Sequence, residues 1–194
     1  MQTQPDIRRL LFDRRMIDMD NYIANLYTTP RSEMFPILSK IIKREEWGAM
    51  PPRKRKAHKT PVQHMVITWT YTDPCETKEE CIKAVQEIQK DHLERGANDI
   101  QYNFLVGGDG NIYEGRGWKY ATHYPRETNP DQWKEVFKNN SIQVAFINRP
   151  SNKPTYSMLK GIATIFAIGE EEKYLVKNVK YSRIAYNEVM SFTF

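Results

Sequence analysis

The chain has 194 residues, of which 40% are hydrophobic and 12% aromatic. This length suits one domain with some additional sequence, and the apolar content excludes a largely disordered chain. The formal net charge of +5 suits an anionic partner such as a bacterial wall polymer. Its densest basic run, Arg53–Lys59, follows Pro51-Pro52, and we interpret it as a solvated loop. We do not expect a nucleic-acid partner.

Signals for cellular location point in two directions. No segment approaches the ~20 apolar residues of a membrane span, and no signal peptide is visible, which favours the cytoplasm. The chain has only two cysteines, Cys75 and Cys81, too few for a zinc ribbon. They are interpreted as a small disulfide at a helix start, which would require an oxidising, extracellular-facing compartment, or as reduced thiols of an internal form.

The first forty residues differ from the rest of the chain. We predict an N-terminal appendage over 1–40 and a separate domain over 41–194. A partly ordered leader is the default interpretation of the appendage, and a partner-binding helix is the alternative. The helix would present Leu11, Ile17, Ile23 and Leu26.

Strand and helix patterns alternate along the domain. A short strand at Ile41-Ile42 is followed by a strand over Met65–Thr70. A capping box, Thr77 with Glu80, then predicts the start of a helix that ends at Gly96.

A hairpin is predicted next. It has a strand over Ile100–Val106, a turn at Gly107–Gly110 and a return strand over Asn111–Glu114. A strand over Ser141–Ile147 and a helix over Thr155–Ile168 follow. The order of elements predicts an α/β domain with a central mixed β-sheet flanked by helices.

Two runs of residues carry a family resemblance. Ile42–Ala49 is similar to an opening signature, and Asp99–Trp118 to a longer and more distinctive run. On these runs the chain resembles the peptidoglycan recognition proteins, animal relatives of the phage-type zinc amidases, from about Ile41 to its end. The resemblance implies the amidase-like fold, a Cys75–Cys81 disulfide and a role in innate immunity, as in the long-type receptors and regulators of insects.

Active amidases of that family hold zinc with two histidines and a cysteine, and the zinc lowers the pKa of a bound water to about 7. The first ligand comes from a His-His-Thr motif, which aligns with Thr68-Trp69-Thr70 here. The other two motifs, Gly-His-Arg and Thr-x-Cys-Pro-Gly, are absent, because no histidine follows His123 and no cysteine follows Cys81. We therefore predict no metal, no cofactor and no enzyme activity; a residual amidase is less favoured.

The C-terminal stretch can be aligned with the family in two ways. In one alignment, Ser182-Arg183 replaces the His-Arg of the second ligand motif. In the other, Tyr186–Val189 matches the family's final helix and the ligand segment is deleted. Both alignments remove the metal ligand.

Residues matching the family's ligand groove are partly retained. Arg95-Gly96 matches an Arg-Gly-Trp run of members that prefer diaminopimelate-type stem peptides, but Ala97 replaces the tryptophan. Tyr102 matches the catalytic tyrosine, and His123 a groove histidine. Tyr102 and Trp118, which flank the hairpin, suit either a sugar–peptide groove or the core. The groove candidates are Thr68, Trp69, Arg95, Gly96, Ala97, Tyr102, Trp118 and His123.

Two functions fit these substitutions. The first is a non-catalytic regulator or co-receptor with a reshaped groove, acting through contacts with another peptidoglycan recognition receptor. The second is a genuine receptor for diaminopimelate-type muropeptides. The retained Arg95-Gly96 and Tyr102 favour the second, whereas Thr68-Trp69, Ala97 and the altered C-terminus favour the first.

Overall fold

A computed structural model describes Asn21 and residues 39–57, 59–122, 141–185 and 188–192. The predicted helix of the appendage and the groove candidate His123 lie outside these residues. Within the described part, the helices are α1 (Lys78–Glu94) and α2 (Tyr156–Glu171). The strands are β1 (Ile41–Ile42), β2 (Val62–Trp69), β3 (Phe104–Val106), β4 (Ile112–Glu114), β5 (Ser141–Phe146), β6 (Leu175–Ala185) and β7 (Glu188–Phe192).

The described strands form one seven-stranded mixed sheet in the order β1-β4-β3-β5-β2-β6-β7. Strands β3, β5, β2 and β6 run parallel to one another. The hairpin pair β3–β4 and the C-terminal pair β6–β7 are antiparallel. The predicted central mixed sheet is therefore confirmed.

The two helices cover opposite faces of the sheet. Phe104 and Val106 of β3 pack in one hydrophobic cluster with residues of α2, including Ile162. Leu105, between them, packs in a second cluster with residues of α1, including Val85. Because successive side chains of a strand point to opposite faces, we call these faces the α2 face and the α1 face.

Both helices begin where side-chain capping predicts. The Thr77 side chain accepts a hydrogen bond from the Glu80 N–H at 3.3 Å, and the Glu80 carboxylate accepts the Thr77 N–H at 3.2 Å. The backbone N–H groups of Glu76 and Thr77, which both donate to the Glu80 carboxylate, lower the pKa of Glu80. At α2, the Thr155 side chain accepts the N–H of Met158 at 3.2 Å. Each cap satisfies donors that a helix start leaves without partners.

Two predicted elements differ from the structure. The strand predicted from Ile100 pairs only from Phe104, because the Ile100 N–H donates to Asp99 Oδ1 and the Gln101 N–H to His92 Nδ1. Near the C-terminus, residues 188–192 form strand β7. The alignment that gave this segment to the family's final helix is therefore wrong.

The cysteines form the disulfide that the resemblance implies. Cys75 and Cys81 are bonded and buried, at the start of α1. The disulfide lies against the hairpin turn, since a Cβ on Gly107 would come within 2.6 Å of Cys81 Sγ. The turn and the helix start are thus packed as one unit.

Candidate functional site

Strand β2 presents polar side chains on its α1 face. The alternation that buries Met65, Ile67 and Trp69 with α2 turns His64 and Thr68 to the other side. In the sheet, Val66 of β2 lies opposite Gln143 of β5 on one side and Ser182 of β6 on the other. Paired residues of neighbouring strands point to the same face, so Gln143 and Ser182 share the face of His64 and Thr68. The side chains that share this face form a polar floor, defined as His64, Thr68, Gln143 and Ser182. Three of them are buried: Thr68, Gln143 and Ser182.

A hydrogen bond joins two members of the polar floor. His64 Nε2 lies 2.9 Å from Ser182 Oγ, and the imidazole tautomer decides which atom donates. Burial lowers the pKa of His64, and the positive charge of Lys180 lowers it further. The imidazole is therefore neutral at neutral pH. The Ser182 side chain has no exposed surface, so this pair offers no accessible nucleophile.

The polar floor does not fit a zinc ion. The alignment with the His-His-Thr motif predicts Thr68 at the position of the family's first ligand, and Ser182 lies on the neighbouring strand, as expected if Ser182-Arg183 replaces the second ligand motif. Both positions carry neutral hydroxyls, which are poor substitutes for imidazole or thiolate. In the part of the chain that the structure describes, no group of three or more His, Cys, Asp or Glu side chains could hold a metal ion.

Two of the groove candidates lie in the core on the α2 face. Trp69 is 1% exposed and packs on Phe146, with ring centroids 5.6 Å apart. Trp118 packs on Phe104 at 4.6 Å and stacks on Tyr174 at 5.1 Å. Of the adjacent pair Thr68-Trp69, only Thr68 faces the polar floor.

Other groove candidates gather at the C-terminal end of α1. Arg95 is exposed and pairs with Asp91 of its own helix at 2.9 Å. Gly96 has φ +89°, a left-handed conformation that favours glycine. Ala97 is buried, and half-buried Tyr102 lies 5.5 Å from the His92 ring. These residues lie near one another, but Trp69 and Trp118 belong to the opposite face.

A buried arginine beside this end of α1 escaped the sequence reasoning. Arg116 Nε donates to the Ile100 carbonyl at 2.7 Å, and Nη1 donates to the Ala121 carbonyl at 3.1 Å. Its Nη2 is buried and has no hydrogen-bond partner within the described part of the chain. The signal available in the sequence was an arginine between two glycines, directly after a buried strand.

The surroundings of Arg116 are strongly charged. Burial lowers its pKa, Asp99 raises it, and the nearby cations Arg44 and Arg55 lower it. Asp99 Oδ1 accepts from Arg44 at 3.1 Å and from Gln89 at 2.8 Å, and its buried Oδ2 has no hydrogen-bond partner among the described residues. This one carboxylate stands against three guanidinium groups, those of Arg44, Arg55 and Arg116. The local excess of positive charge therefore suits an anionic group.

Comparison with known proteins gives the family. Residues 58–182 match the family described as N-acetylmuramoyl-L-alanine amidase. A peptidoglycan-recognition protein of Drosophila melanogaster is 33% identical over 144 residues, which are 73% of this chain and 74% of the relative. Peptidoglycan recognition protein 1 of Bos indicus is 31% identical over 140 residues, 71% of this chain and 70% of the relative. The chain belongs to the peptidoglycan recognition protein family.

A solved structure of the same family shares this fold. It is the complex of tracheal cytotoxin with the ectodomains of peptidoglycan recognition proteins LCa and LCx, at 32% identity and a TM-score of 0.67. The match covers 74% of this peptidoglycan recognition protein and 83% of the solved chain. Within its described residues, no helix has the length and apolar character needed to span a membrane.

Proposed function

We propose that this peptidoglycan recognition protein is a non-catalytic regulator or co-receptor of bacterial sensing in innate immunity. The observation that carries the proposal is the chemistry of the polar floor. In the alignment with the family's ligand motifs, Thr68 and Ser182 replace two of the zinc ligands of an amidase, and both are buried hydroxyl residues. A metal-activated water, the nucleophile of such amidases, needs ligands that this floor lacks.

The partner proposed for this activity is another peptidoglycan recognition protein. Support comes from the solved complex in which the ectodomains of LCa and LCx are found together with tracheal cytotoxin. The loss of zinc ligands alters the groove and leaves the outer surfaces of the fold in place, so it is compatible with a function through protein contacts.

The alternative is a receptor that binds diaminopimelate-type muropeptides directly. One observation favours it, the unpartnered Nη2 of Arg116. The two backbone carbonyls of Ile100 and Ala121 fix the guanidinium, and a stem-peptide carboxylate would pair with its buried Nη2 after a local opening of the surrounding loop.

Isothermal titration calorimetry separates the two functions. A diaminopimelate-type muropeptide is titrated into the full chain and into Arg116→Gln, with Arg149→Gln as the control for removing an arginine from an exposed ion pair. Circular dichroism checks that each variant is folded. We expect no saturable heat in any of the three proteins.

Two results would overturn the proposal. Saturable heat that Arg116→Gln removes and Arg149→Gln retains would establish the muropeptide receptor. Stoichiometric zinc, found by metal analysis of the purified protein together with cleavage of the muropeptide, would establish an amidase.

A further inference from the structure

The basic run interpreted as a solvated loop is held in a fixed position at its start. We call the described residues of this run, 53–57 and Lys59, the basic strap. Arg53 Nη1 donates to the carbonyls of Leu93 at 2.8 Å and of Ala97 at 3.4 Å, and the Arg53 N–H donates to the Asn98 carbonyl at 2.8 Å. These bonds tie the strap to the C-terminal end of α1, where a cation also interacts favourably with the helix dipole.

A second set of contacts fixes the middle of the strap. The Arg55 guanidinium lies over the Tyr120 ring, 4.7 Å from its centroid. The Ala121 N–H donates to the Lys56 carbonyl at 2.8 Å, and Ala57 forms an antiparallel bridge with Tyr120. The two arginines of the strap therefore serve as anchors.

The lysines between and after the anchors are exposed. The side chains of Lys54, Lys56 and Lys59 make no hydrogen bond or ion pair within the described residues, and the sequence from Met50 to Pro61 contains no acidic residue. The Cα atoms of Lys54 and Lys56 are at most about 7 Å apart, since they are two residues apart in the chain. The ordered backbone reduces the entropy lost when an anion binds, and lysines without an ion pair can bind the anion without breaking one.

We propose that the basic strap is a binding site for a linear phosphodiester polymer of the glycerol-phosphate type found in bacterial walls. Successive phosphates of such a chain would meet Lys54, Lys56 and Lys59 as point charges. This site is separate from the polar floor. It adjoins Arg116 through Ala121, which bonds to both Arg116 and Lys56, but it uses the exposed lysine side chains and does not require either function proposed above.

A nucleic acid carries the same phosphodiester charge but fits the strap less well. Proteins that hold single strands usually add aromatic side chains on which bases stack. The run from Arg53 to Lys59 contains no Phe, Tyr or Trp, and one face of the adjacent Tyr120 ring is covered by Arg55. The strap can neutralise phosphates, but it offers no platform for bases.

Fluorescence anisotropy with a labelled glycerol-phosphate polymer tests the proposal on the full chain. Lys54→Gln/Lys56→Gln is compared with the wild type at several salt concentrations. Neither lysine makes a hydrogen bond or ion pair through its side chain within the described residues, so the variant should fold normally. We expect an affinity loss of roughly tenfold or more at low salt, and a fall of about 1.4 in the slope of log affinity against log salt, for two lost phosphate contacts.

The matched control is Lys83→Gln/Lys177→Gln, which removes the same charge from exposed positions on α1 and β6. It should keep nearly the wild-type affinity. An equal loss of affinity in the two double variants would show that only net charge matters and would contradict a binding site at the strap. Tighter binding of a single-stranded DNA of equal charge would overturn the wall-polymer assignment. The muropeptide titration is independent of either result.

Discussion

His92 shows how the fold changes the chemistry of a single residue. Its Nδ1 accepts the N–H of Gln101 at 3.0 Å, and its ring packs against Tyr102. Burial lowers the pKa of His92 from 6.5 to about 4; Asp91 opposes this shift, and Arg95 and Arg116 add to it. The folded protein therefore holds His92 neutral at a pH where the unfolded chain would protonate it.

This difference predicts a pH dependence of stability. Between pH 6.5 and about 4 the unfolded state binds a proton at His92 that the folded state does not, so the free energy of unfolding falls as the pH falls. The loss from this residue is at most about 3 kcal/mol. Urea unfolding at pH 7 and pH 4.5 measures it.

His92→Gln supplies the control, because the glutamine keeps an acceptor for Gln101 without titrating. The variant should lose less stability on acidification than the wild type. It should still show the smaller loss that comes from His64, whose pKa is also lowered by burial. An unchanged pH dependence in the variant would contradict the assignment to His92.

Part of the candidate site could be read from single residues. The absence of histidine at Thr68 and of any cysteine after Cys81 is visible in the sequence alone. The bond between His64 and Ser182 is not, because it depends on the register between strands 118 residues apart. The unpartnered Nη2 of Arg116 likewise depends on the loop carbonyls that occupy its other nitrogens.

At the scale of elements, the hairpin turn and the start of α1 depend on each other. A Cβ on Gly108 would lie 2.4 Å from the backbone oxygen of Cys75, which cannot move without shifting the disulfide segment. We predict that Gly108→Ala lowers the free energy of unfolding by about 1–3 kcal/mol through overpacking. Urea unfolding monitored by circular dichroism measures the loss.

Gly96→Ala is the comparison for this turn. No atom lies within 4 Å of a Cβ at Gly96, although its φ is +89°. Gly96→Ala should therefore lower the free energy of unfolding only through left-handed backbone strain, by about 1–2 kcal/mol. In the Cys75→Ala/Cys81→Ala background, which lacks the disulfide, Gly108→Ala should lower the free energy of unfolding by less. An equal loss with and without the disulfide would contradict the idea that the disulfide holds the Cys75 backbone against the turn.

Elements with local signals were predictable, and those set by distant pairing were not. The capping box at Thr77 and the apolar spacing of α2 identified both described helices. The strand expected from Ile100 was shortened, because Asp99 and His92 take its first backbone donors. Strand β7 has no partner except β6 among the described strands, and nothing local in its sequence distinguishes a strand from the family's final helix.

At the scale of the molecule, one sheet separates two hydrophobic clusters. The α2-face cluster contains Ile162, and the α1-face cluster contains Ile100; both side chains have no exposed surface. The order of elements predicted a central sheet flanked by helices. It did not predict that the strand centre would carry a polar floor, because Gln143 and Ser182 read as ordinary strand residues in isolation.

The separation of the clusters predicts how core mutations combine. Ile162→Ala and Ile100→Ala each remove a fully buried side chain and should each lower the free energy of unfolding by about 2–5 kcal/mol. Because the two residues share no cluster, the double variant should lose the sum of the two values within about 0.5 kcal/mol. Ile162→Ala with Leu159→Ala, both in the α2-face cluster, should deviate more from additivity. Urea titrations of the wild type, the single variants and the double variants measure these coupling energies. A large coupling energy between Ile162 and Ile100 would contradict the prediction. It would mean that the sheet transmits strain from one face to the other and that the two clusters are not independent cores.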